Sequence, residues 1–390
     1  MKKIVVLGAT GSIGTQALAV IKENSTDYEV TKISVGYNIK LLLDILNDFP
    51  SINEVALLDD KRIAELQDHY PDINFYLGSK GIIQLLDNGN YDLCLNAIVG
   101  FAGLLPSIKV IQSNKTLALA NKETMVVAGK QINRLLEQHS QAKVIPVDSE
   151  HCAIFQCLAS NEIESVKRLV ISASGGSFRD KSLEELANVS IEDALNHPNW
   201  QMGAAITIDS ATMLNKGLEV IEAHWLFGID YDQIEVVIHR ESIVHSMVEY
   251  SDSSMIAQLS QPDMKQPIAY ALAYPKRAKF SDSSLDLTKI VNLTFEPVDF
   301  KRFKGLALAY QAGRQGHSYP CVLNASKEIA TQAFLAEKIK FIDIVEYVEK
   351  ALKAHRVIEN PSLEQLVAID SATRKYVTDL INKEIVDGNN

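Results

Sequence analysis

A short apolar run that stops on evenly spaced glycines constrains this chain more than anything else in it. Ile4–Leu7 leads into Gly8-Ala-Thr-Gly11-Ser-Ile-Gly14, and a helical stretch, Thr15–Glu23, follows at once. Glycines three apart at a strand-to-helix turn let the backbone bend tightly and approach a pyrophosphate, whose charge then faces the helix N-terminus. A plain strand-helix turn is the competing reading. No carboxylate ends the second apolar run, which reads Ser34-Val-Gly36-Tyr37-Asn38. NAD-binding turns usually place an acid there for the ribose hydroxyl, so the segment favours NADP. Lys32 and Lys40 are candidates for a 2′-phosphate or are ordinary surface charges.

The alternation continues. Val30–Val35, Val55–Leu58, Leu93–Asn96, Thr116–Ala118 and Val144–Pro146 read as strands, with helical stretches such as Leu41–Phe49 between them. That is the pattern of a doubly wound parallel sheet over residues 1–148. The pattern changes over 149–275. Val166–Ser172, Ile234–His239, Ser246–Tyr250 and Met255–Leu259 read as strands and Ala211–Phe227 as one long helix, giving an α+β domain. Residues 276–300 lack periodicity and read as a linker. From 301 to 390 the helical stretches Leu306–Arg314, Ala325–Ala336, Ile342–His355 and Leu363–Lys383 predict a small bundle. A length of 390 residues suits two or three domains.

The net charge is −11, and no Lys/Arg cluster stands out, which argues against nucleic acid as a partner. The greasiest stretch, Leu93–Ile111, contains Asn96, Gly100, Gly103, Pro106 and Lys109, so no spanning helix is expected. Cys94, Cys152, Cys157 and Cys321 form no CxxC pair and read as buried thiols of a reducing compartment. The expectation is a cytoplasmic enzyme.

Two clusters carry chemistry. Val147-Asp148-Ser149-Glu150-His151 follows the last strand of the first domain, where open α/β sheets bind ligands. Two carboxylates there suit a hard cation such as Mg²⁺ or Mn²⁺. Asp148 or Ser149 as a helix N-cap is the alternative, and the segment alone leaves both open. His151 lacks a partner at metal-ligand spacing and reads as structural. Farther on, Asp209 or Ser210 suits a helix N-cap. Thr212, Asn215, Lys216 and Glu219 then fall at helical offsets of one face. Hydroxyl, amide and ammonium groups in that order suit a phosphate, with Glu219 completing a metal site. A solvent-facing stripe with a Lys216–Glu219 ion pair remains the alternative. Ser172–Ser177 is a small-residue loop able to present amides to an anion. His197-Pro-Asn-Trp200-Gln-Met202-Gly203 reads as a lid or as ordinary core.

Together these segments resemble the 1-deoxy-D-xylulose 5-phosphate reductoisomerase family. The likeness runs from GATGSIG through Leu119–Glu123, Pro146–His151, Ser174-Gly-Gly, His197–Gly203 and Ile208–Glu219 to Gln261–Met264 and Val322–Ala325. The resemblance implies NADPH as cofactor, with Thr10, Gly11, Ser12 and Ile13 at its pyrophosphate and Gly36 and Asn38 near the adenosine. Asn121, Glu123 and Gly203 are implied as further cofactor contacts. Asp148, Glu150 and Glu219 are implied as metal ligands. Lys122, Ser149, Ser174, His197, Ser210, Asn215 and Lys216 are implied to contact the sugar phosphate, and Trp200 and Met202 to form the flap. The family is homodimeric. Tyr37, Ser177, Ala204 and Ala205 depart from its usual pattern. A semialdehyde or homoserine-type dehydrogenase would share the glycine turn, but no cysteine sits in a small-residue loop as the semialdehyde type needs. A non-catalytic NADP sensor would have no use for the acids.

Overall fold

The computed structural model describes residues 1–58, 61–159, 161–278 and 284–388. By residue contacts these form two compact units. The first holds Met1–Thr124, Ile132–Cys152 and a segment beginning at Asp263. The second holds Met125–Gln131, Ala153–Pro262 and the chain from Ser284 onward.

The first unit is built on a sheet of seven strands: β1 (Lys2–Leu7), β2 (Tyr28–Val35), β3 (Glu54–Leu57), β4 (Asn74–Leu77), β5 (Leu93–Asn96), β6 (Thr116–Leu119) and β7 (Lys143–Pro146). Every pairing is parallel, and the order is β4-β3-β2-β1-β5-β6-β7. Ile4–Leu7, Val55–Leu57 and Leu93–Leu95 are almost wholly buried, as strands covered on both faces must be. The strand order reverses between β1 and β5, which opens a crevice beyond their carboxyl ends. The helix Lys265–Ala273 returns to this unit and packs on Ser12–Glu23; Lys2 Nζ donates to Leu272 O at 2.7 Å.

β4 was not expected. Asn74-Phe-Tyr-Leu77 is an edge strand with two exposed ends and too short for a visible alternation. Lys32 is also corrected. It is 1% exposed and neither meets solvent nor is placed to reach a nucleotide. Its ammonium is 3.0 Å from Glu54 Oε1 on β3 and donates to Leu85 O at 2.8 Å, so it satisfies a buried carboxylate inside the sheet layer.

The second unit contains a mixed sheet of β8 (Val166–Ala173), β9 (Ile234–Ile238), β10 (Val244–Tyr250), β11 (Met255–Leu259) and β12 (Glu296–Pro297), ordered β11-β10-β8-β9-β12. β12, inside the expected linker, pairs antiparallel with β9; residues 279–283 of that linker lie outside the described residues. The helices Lys304–Gln315, Tyr319–Leu335, Asp343–Ala354 and Leu363–Gly388 pack on one another.

The single helix expected over Ala211–Phe227 is two, Ala204–Ala211 and Leu214–Phe227. Met213 between them is left-handed, at φ 59°, a conformation costly for a side chain with a Cβ. Packing compensates. Met213 is 2% exposed, and close neighbours fix both flanks: a Cβ on Gly305 would lie 2.6 Å from Thr212 O, and one on Gly217 2.3 Å from Ala309 Cβ. Asp209 and Ser210 therefore lie in the last turn of the first helix and cap nothing. Gly228, at φ 67°, ends the second helix.

Candidate active site

The glycine turn sits at the crevice between β1 and β5. Gly8 has φ 78°, and a Cβ there would fall 2.7 Å from Ala97 O, just past β5. A Cβ on Gly14 would lie 2.2 Å from Gly8 O. Both positions thus need glycine, one for the turn and one for the close approach of helix to strand. Gly8 N donates to Ser34 Oγ at 2.9 Å and Ala9 N to Ser34 O at 2.8 Å, which ties the turn to β2. The helix Ser12–Glu23 begins after Gly11 without a capping side chain, and Gly11 and Ser12 are exposed. Thr10 and Ile13 are half-buried beside them. This leaves a helix N-terminus open to an anion.

Beyond β2, Gly36 has open space on its Cβ side, Tyr37 is 74% exposed, and Asn38 Oδ1 accepts from Leu41 N at 3.1 Å to cap the next helix. Lys40 is exposed in that helix. Asn121 caps Lys122–Gln138 through Thr124 N at 3.0 Å. Its amide group also donates to Ile98 O, Gly100 O and Glu123 Oε2 at 2.7–2.8 Å. This side chain therefore organises the loops beyond β5 and β6. Glu123 is held beside it, 8% exposed.

Lys122 Nζ lies 3.0 Å from Asp148 Oδ2, both groups nearly sealed from solvent. Asp148 Oδ1 accepts from Glu150 N at 3.1 Å and contacts His151 Nδ1 at 2.9 Å. The carboxylate is thus an N-cap of Ser149–Cys157 and also one member of an acidic pair at the end of β7; the two sequence readings are compatible. Ser149 Oγ donates to Glu150 Oε2. His151 is fully buried and braces Asp148.

In the second unit the loop after β8 folds against the helix break. Gly176, at φ 72°, has no room for a Cβ, which would lie 2.6 Å from Ala211 Cα and 2.7 Å from Ser210 O. That contact places the Ser174 loop on Ser210. His197 Nδ1 accepts from Asn199 N at 3.2 Å and Trp200 N at 3.0 Å. Its other nitrogen must then carry the proton and donate to Ser174 Oγ, 3.0 Å away. Burial, with Arg179 nearby, pulls the His197 pKa down to about 4, so the ring is neutral at pH 7. Ser174 Oγ also accepts from Gly176 N at 3.1 Å. With its oxygen filled by two donors, the Ser174 hydroxyl proton is left to a ligand.

One turn beyond the break, Asn215 Nδ2 donates to Glu219 Oε1 at 2.6 Å, and Lys216 Nζ pairs with Glu219 Oε2. Lys216 is 5% and Glu219 1% exposed. The stripe does not face solvent; it is a buried polar cluster, and its ion pair is part of it. Thr212, expected on the same face, instead lies before the break, where its hydroxyl donates to Asp209 O at 3.1 Å. The flap segment is irregular from Asn196 to Gly203. Trp200 and Met202 are half-buried, with the Trp200 ring 5.9 Å from that of His245. Asn199 anchors the segment to Arg240 O at 2.5 Å and Ser242 Oγ at 2.7 Å. Gly203 is exposed at the start of Ala204–Ala211.

Sequence reasoning missed Arg179. It donates to Ser174 O at 3.1 Å and Arg240 O at 3.2 Å, joining the small-residue loop to the flap anchor. No motif marks it; only its place two residues past the small-residue loop hints at a brace.

Comparison with known proteins bears on these residues. The family model described as 1-deoxy-D-xylulose 5-phosphate reductoisomerase matches residues 4–129, and those for the C-terminal domains of that enzyme match 144–227 and 259–376. A 1-deoxy-D-xylulose 5-phosphate reductoisomerase of Geobacillus kaustophilus is 49% identical over 384 residues, covering 98% of this chain and 100% of the relative. One from Bacillus cereus is 48% identical over 383 residues with the same coverage. Among solved structures, the Zymomonas mobilis enzyme in complex with NADPH superposes with a TM-score of 0.90 at 40% identity, over 97% of this chain and 99% of that one. A DOX-P reductoisomerase in complex with NADPH, fosmidomycin and magnesium gives 0.93 at 39% identity, over 98% of each chain.

Proposed function

This chain belongs to the 1-deoxy-D-xylulose 5-phosphate reductoisomerase family, and we propose on that premise that it converts 1-deoxy-D-xylulose 5-phosphate to 2-C-methyl-D-erythritol 4-phosphate in non-mevalonate isoprenoid biosynthesis. The reaction depends on NADPH and a divalent metal. One observation carries the reading furthest. Ser174, His197 and Ser210 are gathered on one side of a helix break, and Asn215, Lys216 and Glu219 follow within the next two turns.

The residues fit the groups the family uses. Asp148, Glu150 and Glu219 supply hard carboxylate oxygens, suited to Mg²⁺ or Mn²⁺. The uncapped helix start at Gly11–Ile13 suits a pyrophosphate. We assign the metal to Asp148, Glu150 and Glu219. NADPH goes to Thr10, Gly11, Ser12, Ile13, Gly36, Asn38, Asn121, Glu123 and Gly203. A divalent metal held by the three acids would supply Lewis acidity to the substrate's carbonyl chemistry. NADPH, bound at the glycine turn, would supply the hydride for the reduction.

The chain's own residues do the rest. Ser174 offers its hydroxyl proton to a phosphate oxygen because His197 and Gly176 already fill its own oxygen. Ser210, Asn215 and Lys216 complete the anion site, so binding energy at this remote end fixes the orientation of the reacting carbons. Lys122, held on Asp148, stabilises negative charge on a substrate oxygen. Ser149 adds a hydroxyl beside Glu150. Trp200 and Met202 close over the ligand and exclude water.

We assign residues 1–148 to NADPH, 149–275 to catalysis and dimerisation, 276–300 to the linker and 301–390 to the helical bundle. We also propose a homodimer. Met255, Ile256 and Leu259 are 47%, 42% and 37% exposed on the edge strand β11, a surface that a second copy would cover. A cytoplasmic location fits four cysteines that are all buried and form no disulfide with one another. Among the described residues, no helix is long and apolar enough to cross a membrane.

The test is NADPH oxidation followed by absorbance on adding the sugar phosphate, with and without a chelator. Oxidation that stops with chelator and returns with Mg²⁺ or Mn²⁺ supports the assignment. Oxidation at full rate in chelator, or none with metal present, defeats it.

A further inference from the structure

The phosphate-binding segment carries a charge that its own function does not want. Asp209 directly precedes Ser210 in the chain and is 4% exposed. A sealed carboxylate beside a bound phosphate repels it, and in a site of low polarity such like-charge pairs are costly. The helix Tyr319–Leu335 answers that charge. Lys327 Nζ lies 2.7 Å from Asp209 Oδ2, and Thr331 Oγ1 donates to Asp209 Oδ1 at 3.0 Å. Lys327 is 4% and Thr331 1% exposed, so this contact is made out of water.

The contact also lies close to a left-handed backbone turn. Four residues past Asp209 the chain turns left-handed at Met213, and Asn215 and Lys216 begin the next helix. The first of these helices ends on Thr212, whose hydroxyl donates to Asp209 O at 3.1 Å. Holding Asp209 therefore holds the direction in which the segment leaves the Ser174 loop.

We infer that Lys327 is a positioning residue for phosphate recognition: it neutralises and fixes Asp209, so that Ser210, Asn215 and Lys216 meet the anion in a site free of uncompensated negative charge. The inference rests on the phosphate assignment made above. It brings a residue of the C-terminal bundle into the substrate affinity of the helix break, although its own side chain is spent on Asp209.

The experiment compares Lys327→Met, Lys327→Arg and the double variant Asp209→Asn with Lys327→Met. In Lys327→Met, KM for the sugar phosphate should rise about tenfold or more while kcat changes much less, because a buried carboxylate is left without its counter-charge. The NADPH dissociation constant should stay at the wild-type value. Lys327→Arg keeps the charge and should recover most of the affinity. The double variant removes both charges and should do the same. A folded Lys327→Met protein with wild-type KM overturns the inference, and so does a double variant no better than the single one. Inorganic phosphate, titrated by calorimetry, gives a second reading that needs no turnover. If the wild-type protein binds phosphate but does not oxidise NADPH with the sugar phosphate, the enzymatic assignment fails, and the phosphate affinities still decide the role of Lys327. If phosphate binding is equal in wild type and Lys327→Met, the inference fails whatever the activity.

Discussion

The two units present their acids in opposite ways. In the first, Asp148 and Glu150 stand at the end of β7, and Asp148 is aimed by the main chain: amides of the helix it caps meet its Oδ1 at 3.1 and 3.4 Å. In the second, Glu219 sits inside a helix at 1% exposure, and side chains one turn earlier meet its carboxylate. Placement by the main chain needs only a strand that stops and a helix that starts. Placement by side chains needs the whole helix to be held at the right depth, and here the bundle holds it, with Gly217 against Ala309.

This contrast can be broken most directly with Glu150→Gln and Glu219→Gln. Each should lower kcat by about a thousandfold, since each removes a carboxylate from the proposed metal site. NADPH binding, measured by fluorescence titration, should survive both. Stability should separate them. Glu219→Gln leaves the buried Lys216 ammonium without its carboxylate and should cost about 3 kcal/mol in urea unfolding, whereas Glu150→Gln should cost under about 1 kcal/mol. Equal losses would mean that the two acids are held alike.

Gly217→Ala sharpens the same point. Its Cβ would arrive 2.3 Å from that of Ala309, and the helix must move, at about 2 kcal/mol and with a large rise in KM for the sugar phosphate. Ala309→Gly in the same chain should restore much of both. If the second change restores neither, depth of packing is not what positions Glu219.

A smaller effect concerns His197. Its folded pKa of about 4 lies below the ordinary 6.5, so below pH 6.5 the unfolded chain takes up the proton first. The stability this group contributes is complete above pH 6.5 and is lost as the pH falls from about 6.5 toward 4. Urea midpoints at pH 7, 5.5 and 4.5 should therefore fall more steeply for wild type than for His197→Gln. Parallel curves would show that the ring is not buried neutral. The smallest effect is expected at Tyr37, 74% exposed at the end of the nucleotide crevice. Tyr37→Arg should tighten NADPH about threefold to tenfold and leave NADH unchanged, as a guanidinium added beside a 2′-phosphate would. Equal effects on both nucleotides would place the 2′-phosphate elsewhere.

Much of this was legible in the residues. The strand cores of β1 and β5, Ile4–Leu7 and Leu93–Leu95, are continuous apolar runs, as strands buried on both faces of a parallel sheet must be. β4 was invisible because a four-residue edge strand with a single buried side chain, Phe75, is too short to show an alternation. β12 was invisible because a strand of two residues carries no period at all. The stripe from Asn215 to Glu219 was readable because helical offsets put these groups on one side. Its burial was not, since a polar face looks the same whether it meets water or a neighbouring helix.

The sequence by itself determined the glycine turn, the parallel sheet behind it, and which side chains bear the chemistry, because periodicity and steric need are local properties of a chain. Only the tertiary structure decided that Met213 breaks the long helix, that Lys32 is an internal counter-ion, and that Asp209 answers to Lys327. Each of those depends on a partner supplied from a distant part of the chain, and a left-handed residue or a buried charge persists only when such a partner compensates for it.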